Sequence, residues 1–492
     1  MTRTQYDMTI LGGGSGGLTA ARIAASLGAN VLLIDKERLG GDCLTYGCVP
    51  SKSLIHVARV MQQARDAAKL GLLPAPLDVD MAKVAEYIQS VIRRVAENEQ
   101  VYSKGVTVKF GHVSFNSAKE LTLNGERLTS RNTLVATGSH PLVPQIEGLA
   151  ETGYVTNEHI FDLTHLPASL LVVGGPVGVE LGQAFARLGS RVTVIEGLGR
   201  IVPKEDPGVS ATLADVLQSE GITIATNATF VKASRDGHKK VAIAKQGSQS
   251  LTFEADEILV ALGRRTNVEG LNLEAAGVTY TDKGIAVDAS LQTSTPNILV
   301  VGDVIGGYLF THVAAYQAEV AVRNALVPIV KKKVDYRVGP WCIFTDPEVA
   351  HVGLTPDEAE QQHKQVHIAK FPWAEIDRAQ AEHATTGFIK LVLPGKKDEI
   401  VGAHMIGARA GKLLGEISLA MQQRLRLSDI LATIHAYPTM NTGIQQATFE
   451  AYLEGAAVKN NRKIVRTVLS LRGGEGCRTA SIWGMCFLQH YT

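Results

Sequence analysis

Two stretches of this chain carry the same signals in the same order. An apolar run, Met8–Leu11, leads into Gly12-Gly13-Gly14-Ser15-Gly16-Gly17, then an Ala-rich stretch to about Leu27 and a second apolar run, Asn30–Ile34, that stops at Asp35. At Ser169 the order returns: Leu170–Val173, Gly174-Gly175-Pro176-Val177-Gly178, a helical stretch to Leu188, and Arg191–Ile195 stopping at Glu196. From the middle glycine to the closing acid the interval is the same, 35 − 14 = 21 and 196 − 175 = 21. Each stretch reads as strand, tight turn, helix and parallel strand, the unit of a doubly wound sheet. The chain is therefore expected to be α/β, with two Rossmann-like dinucleotide-binding domains.

The first glycine loop has the full G-x-G-x-x-G form at Gly12, Gly14 and Gly17. One glycine permits the tight turn, one lets a pyrophosphate approach the backbone, and one lets helix and strand pack closely. The helix N-terminus then faces the phosphate charge, and Asp35 stands where a ribose hydroxyl needs an acceptor. The second loop keeps Gly175 and Gly178, but counting back from them puts Val173 in the first glycine's place. A β-branched residue resists an unusual turn, so this loop is expected to be damaged. Glu180 and Glu196 are well placed all the same. A carboxylate at Glu196 accepts from a free 2′-hydroxyl and repels a 2′-phosphate, which favours NAD(H) over NADP(H).

Charge excludes some partners. Lys plus Arg number 49 and Asp plus Glu 48 among 492 residues, a balance that gives no reason to expect nucleic acid or an acidic membrane surface. No apolar run is long enough for a membrane span, and the first residues lack the layout of a signal peptide. The expectation is a cytoplasmic protein with no membrane partner. Five cysteines, Cys43, Cys48, Cys342, Cys477 and Cys486, are too few for a disulfide scaffold.

Two of them lie close together in Gly40-Gly41-Asp42-Cys43-Leu44-Thr45-Tyr46-Gly47-Cys48-Val49-Pro50-Ser51-Lys52. Cysteines at this spacing in an unbroken helix have Cα atoms roughly 8–9 Å apart, whereas a disulfide needs about 4.4–6.8 Å. If they bridge, the backbone must be distorted between them, and Gly47 eases that. Pro50 suits the first turn of a following helix, whose N-terminus lowers the pKa of Cys48. No second ligand pair with zinc spacing accompanies them, so no metal site is expected.

The rest of the chain suggests long helices around Ser51–Ala68 and Met81–Lys104, a strand Ile298–Val301 before Gly302-Asp303, and a helix from His312. Alternating strands (Phe388–Leu393, Ile400–Ile406) and helices (Ala410–Gln423, Thr442–Glu454) then form a separate α+β unit. The expected divisions are 1–150 and 285–339 for the first dinucleotide domain, 151–284 for the second, 340–455 for an interface domain and 456–492 for a tail.

Gly41-Asp42-Cys43 with Cys48-Val49-Pro50-Ser51-Lys52 resembles the signature of the class I pyridine nucleotide–disulfide oxidoreductases, which include dihydrolipoamide dehydrogenase, glutathione reductase and mercuric reductase. Ala136-Thr137-Gly138, Ala261-Leu262-Gly263-Arg264-Arg265-Thr266-Asn267, Gly302-Asp303 and Thr345-Asp346-Pro347-Glu348 match family positions too. The resemblance spans about residues 5 to 455. It implies an enzyme that takes hydride from NAD(P)H onto FAD and then reduces a Cys43–Cys48 disulfide, whose dithiol reduces the substrate. It implies that Cys48 is nearer the flavin and Cys43 exchanges with substrate, that Lys52 pairs with Glu180 beside the ring, and that Asp303 holds the ribityl chain with Thr311 nearby. Cofactor contacts are also implied at Val113, Thr137, Gly138, Gly175, Gly178 and Gly263, and a homodimer is implied through 340–455.

Departures bear on the substrate. Dihydrolipoamide dehydrogenases and glutathione reductases carry a catalytic His followed five residues later by Glu, and here Tyr437 and Thr442 stand at those positions, with His435 two residues early. A tyrosine there resembles mercuric reductases, as do Gln183–Val194 and Arg378-Ala379. Mercuric reductases end in adjacent cysteines, whereas Cys477 and Cys486 are nine apart. The favoured expectation is reduction of a soft electrophile such as Hg(II). The alternatives are dihydrolipoamide oxidation with NAD+ and, from another class, a redox-sensing flavoprotein with little turnover, supported by Val173.

Overall fold

The computed structural model describes residues 5–73, 77–102, 105–327, 329–395, 398–454, 465–467 and 469. The chain divides into two compact units, Met1–Ala350 and His351–Thr492. Cys477 and Cys486 lie outside the described residues. Among the described residues no helix is long and apolar enough to cross a membrane.

In the first unit the strand Tyr6–Leu11 pairs in parallel with Val31–Asp35 on one side and with the strand Glu126–Val135 on the other. Ile298–Val300 adds in parallel to the far edge of Glu126–Val135, so the chain returns to this sheet after a long excursion. The apolar runs read from the sequence are buried on both faces. Met8, Ile10 and Leu33 pack under the helix Ser15–Ser26, and Leu11, Leu32 and Ile34 pack on the opposite face against Phe115 and Leu121. A strand covered on both sides buries side chains on both faces, which is why these runs are apolar at all buried positions but Thr9 and do not alternate.

The excursion contains a second parallel sheet, in the order Thr223–Ala225, Arg191–Ile195, Ser169–Val173 and Glu257–Val260. Its register corrects one expectation. Leu11 lies opposite Ile34 and Val173 opposite Ile195, so the intervals are 34 − 11 = 23 and 195 − 173 = 22. The missing residue belongs to the turn, because the helix N-caps are Gly14 and Gly175, 14 − 11 = 3 and 175 − 173 = 2 residues past the strand ends. The Gly12 N–H donates to the Ile34 carbonyl at 2.7 Å and the Gly174 N–H to the Ile195 carbonyl at 2.9 Å. Gly174 is therefore the counterpart of Gly12, and both have positive φ, +73° and +106° respectively. Val173 is not a misplaced turn residue. It ends the strand, buried, where a β-branched side chain is at home.

The second unit contains an antiparallel sheet in which Phe388–Pro394 lies between Val366–Pro372 and Gly402–Gly407. The helix Ala410–Gln422 buries Leu413, Ile417 and Met421, and the helix Thr442–Glu454 buries Ile444, Ala447 and Ala451.

The first loop allows no side chain at its third glycine. A Cβ on Gly17 would stand 1.8 Å from the Gly12 carbonyl oxygen. Gly17→Ala is expected to push the helix off the turn, at a cost of about 1–3 kcal/mol. The checks are a lowered thermal midpoint and loss of bound flavin after gel filtration. A yellow protein of unchanged midpoint would contradict the packing described here.

Candidate active site

The cysteine pair sits at a break between two helices. A short helix, Gly41–Thr45, carries Cys43, and a long one, Cys48–Asp66, begins at Cys48 with Gly47 as its N-cap (φ −114°, ψ −109°). The chain between the cysteines is thus bent at Gly47, where a Cβ would come within 3.1 Å of the Cys43 Cα and the Asp42 carbonyl oxygen. Pro50 lies in the first turn of the long helix, where its missing N–H costs nothing.

The bend brings the two thiols into hydrogen-bonding contact, and the pair shares its protons unequally. The Cys48 thiol is lowered to about 6, first because Cys43 donates a hydrogen bond to its sulfur, then through the Thr311 hydroxyl and the Lys52 charge, against the opposing effect of burial. Cys43 moves the other way, because losing its proton would break that hydrogen bond beside a second sulfur anion. Cys48 Sγ and Thr311 Oγ1 are 3.6 Å apart. Cys48 is the first residue of its helix, and the neighbouring thiol is a cause of its lowered pKa that the sequence did not announce.

Behind Cys48, Lys52 Nζ lies 2.8 Å from Glu180 Oε2, and the other oxygen of Glu180 accepts the Phe344 N–H at 2.8 Å. The same ammonium stands 4.3 Å from the centre of the Phe344 ring. On the other side, Asp42 pairs with Arg264 at 3.0 Å. Burial raises the Asp42 carboxyl, and Arg264 opposes that rise. Arg264 also donates to Ser139 Oγ at 2.7 Å, and Ser139 donates to Asp303 Oδ2 at 2.6 Å. Sequence reasoning did not single out Asp42, Ser139 or Phe344. The only signal for them was their position within or beside the quoted motifs.

The backbone around this site is bare enough to fit FAD. A Cβ on Gly14 would meet only the Gly41 Cα, at 3.8 Å, and one on Gly138 would meet nothing within 4 Å. Gly12 sits so close to Ala136 that a Cβ would be 2.3 Å from its carbonyl oxygen, which brings Thr137 and Gly138 beside the loop. Asp35 accepts the Gly13 N–H at 2.6 Å through one oxygen and the Glu37 and Arg38 N–H groups through the other, which fixes its carboxylate at the end of the second strand beside the glycine loop. Val113 starts a strand and packs its side chain on the core, leaving only its backbone to a cofactor.

The second loop's residues are also placed. Gly175 and Gly178 press on Ala261, and Gly263 lies two residues further along the chain with φ +125°. Glu196 directly follows the strand Arg191–Ile195 and accepts the Leu198 N–H at 3.0 Å. Arg200 turns away, donating to the Pro203 carbonyl at 2.8 Å.

In the second unit, Tyr437 is well exposed and its phenol donates to Asp377 Oδ2 at 2.9 Å. That hydrogen bond and the carboxylate charge raise the phenol above its ordinary value. Thr442 turns its hydroxyl back to the Thr439 carbonyl at 2.7 Å. His435 is buried and held by Glu416 at 2.7 Å and the Thr433 carbonyl at 3.0 Å, while Asn441 supports Glu416. It is a packing histidine.

Residues 6–318 match the family described as pyridine nucleotide-disulphide oxidoreductase, and residues 339–448 match its dimerisation domain. A mercuric reductase of Staphylococcus aureus is 33% identical over 447 residues, covering 90% of this chain and 82% of that protein. A dihydrolipoyl dehydrogenase of Thermus scotoductus is 34% identical over 468 residues, covering 92% and 99%. Among solved structures, the Cu(II) complex of the HOCl-induced flavoprotein disulfide reductase RclA from Escherichia coli superposes with a TM-score of 0.81 at 25% identity, covering 90% of this chain and 99% of that one.

The unequal thiols give a pH signature. A depressed pKa means that Cys48 is thiolate above it, so alkylation of the reduced protein by iodoacetamide is expected to rise through a midpoint at about 6. Cys43→Ala removes the largest cause and moves the midpoint upward, toward about 8.5. A native midpoint already at the ordinary thiol value would contradict the arrangement.

Proposed function

The chain belongs to the pyridine nucleotide-disulphide oxidoreductase family, and on that premise we propose that it reduces a soft, thiolate-binding electrophile, with Hg(II) the leading substrate. Its family consists of FAD-containing enzymes that work with a pyridine nucleotide. FAD, when bound, accepts hydride from the reduced nicotinamide and returns two electrons to the cysteine pair. Gly12, Gly14 and Gly17 would hold its pyrophosphate, Asp35 its ribose and Asp303 its ribityl chain, while Lys52 and Glu180 would face the ring. Cys48 is the flavin-side sulfur in this reading, and Cys43 meets the substrate.

One observation carries the choice of substrate. The residue before Pro438 is a tyrosine whose proton is held more tightly than usual by Asp377, and Thr442 is engaged with its own backbone. A phenol with a pKa above about 10 does not take a proton from a dithiol at neutral pH. Oxidising dihydrolipoamide needs such an acceptor, and general base catalysis of this kind contributes about 10²–10⁴-fold. Reducing a metal ion does not. NAD(P)H and Hg(II) give NAD(P)+, Hg(0) and one proton, and the thiolates need only bind the metal. A Cys48 thiol at about 6 supplies a thiolate at neutral pH. The mercuric reductase similarity and the Cu(II) complex of the structural neighbour agree with a soft metal ion. Dihydrolipoamide oxidation with NAD+ stands second, supported by equally similar dihydrolipoyl dehydrogenases.

Two further assignments belong to this proposal. The match to a dimerisation domain supports a homodimer through residues 340–455, with Tyr437 facing Cys43 of the partner subunit. Glu196, with Arg200 turned away to a backbone carbonyl, supports NADH as the donor.

A substrate panel tests the main claim. NADH oxidation is expected to depend on Hg(II), and Tyr437→Phe to slow that more than NADH-dependent dye reduction. The double variant Tyr437→His, Thr442→Glu is expected to gain about 10²-fold in dihydrolipoamide oxidation. Native turnover of dihydrolipoamide at about 1–10³ s⁻¹, without Hg(II) turnover, would move the function to the lipoamide reading. For the donor, kcat/KM is expected to favour NADH over NADPH by about tenfold, with Glu196→Ala narrowing the ratio. NADPH as the better native donor would overturn the role of Glu196.

A further inference from the structure

The two glycine loops differ in what they offer a diphosphate. At the first helix start, Gly14, Ser15 and Gly16 follow one another, and each carries an N–H with no acceptor inside the helix. At the second, the N-cap Gly175 is followed by Pro176, which has no N–H, and then by Val177. The residue that would stand between the counterparts of Gly12 and Gly14 is absent, so its amide is absent as well. The second loop therefore presents fewer donors to the same ligand group.

Its shape differs too. In the first loop only Gly12 has a positive φ among Gly12, Gly13 and Gly14, whereas Gly174 and Gly175 both do, at +73° and +70°. Two successive positive-φ glycines fold the shortened backbone down onto the neighbouring strand end. A Cβ on Gly175 would lie 2.2 Å from the Ala261 carbonyl oxygen, and one on Gly174 would lie 2.8 Å from Leu262 Cδ2. Leu262 is partly exposed beside the loop. Gly14 has no such neighbour, since its only close atom is the Gly41 Cα at 3.8 Å. At the position of Gly14 the first loop leaves an open backbone face, whereas its counterpart Gly175 is turned against the Ala261 carbonyl.

We propose that the second dinucleotide site holds its nucleotide with a weakened pyrophosphate grip, so that recognition rests on the adenosine ribose at Glu196 and on the nicotinamide end rather than on the diphosphate. The proposal depends on reading this domain as the nicotinamide site. It also relocates the defect expected at Val173, which is a strand residue, to the shortened turn and Pro176.

The test is calorimetric binding of ADP-ribose and of adenosine to the FAD-loaded protein, so that the first site is filled. Two variants are compared with the native chain. One inserts a glycine between Gly174 and Gly175 and carries Pro176→Ser. The other carries Pro176→Ser alone, which keeps the loop length and restores a single N–H. ADP-ribose is expected to bind about tenfold more tightly to the insertion variant and by a smaller factor to Pro176→Ser, while adenosine affinity stays the same in all three. If the insertion variant loses FAD or fails to fold, Pro176→Ser decides, and an unchanged ADP-ribose affinity there overturns the proposal. Equal ADP-ribose binding by all three proteins overturns it and leaves the proposed function standing. A gain for adenosine as large as that for ADP-ribose overturns it as well, because the change would then not act on the diphosphate. Absence of ADP-ribose and NAD+ binding in every form would instead overturn the reading of this domain as a nicotinamide site, and the inference with it.

Discussion

Glu180 is a nearly buried carboxylate on the helix that follows the second glycine loop, and its two oxygens are taken by Lys52 and by the Phe344 N–H. Removing a carboxylate from water costs several kcal/mol, and that cost is met only while both partners stay in place. The lysine comes from the cysteine helix, 52 − 48 = 4 residues beyond Cys48, on the same helix face. The amide comes from the stretch leading into Thr345-Asp346-Pro347. One ion pair thus ties together the first dinucleotide fold, the second, and the segment that follows them. It also sets the distance from a positive charge to the reactive sulfur. Removing either partner leaves an unpaired charge, so this contact positions the chemistry and the fold at once.

The dithiol works as an asymmetric pair because its two sulfurs have different surroundings. Cys48 faces the Thr311 hydroxyl and the lysine, while Cys43 keeps its proton and gives it to Cys48 as a hydrogen bond. Asp42, directly before Cys43, is held by Arg264, and that arginine reaches Ser139, which bonds Asp303. A chain of polar contacts therefore runs from the residue before Cys43 to Asp303.

Much of this was legible in the sequence because it is local. A glycine loop, the acid that ends the next strand and a cysteine pair broken by Gly47 each fall within one βαβ unit, where spacing dictates geometry. The shortened loop was not legible. Counting from the helix side gives the same 21-residue interval in both units, and the missing residue lies before that interval, where only strand register reveals it. Contacts distant in sequence were equally hidden. Nothing near Asp42 announces Arg264, and nothing near Tyr437 announces Asp377. The thiol contact that lowers Cys48 was hidden in part for a related reason, since the helix start is visible in sequence while a thiol's hydrogen-bond partner is not.

In the proposed function Cys48 is the thiolate beside the flavin and Cys43 the sulfur turned to substrate. The most direct measurement is the long-wavelength absorbance that a thiolate stacked on oxidised flavin produces, recorded after two-electron reduction of the FAD-loaded protein. The band is expected in the native protein, is expected to persist or strengthen in Cys43→Ser, and is expected to disappear in Cys48→Ser. A band of equal strength in both variants, or one that survives only in Cys48→Ser, would contradict it.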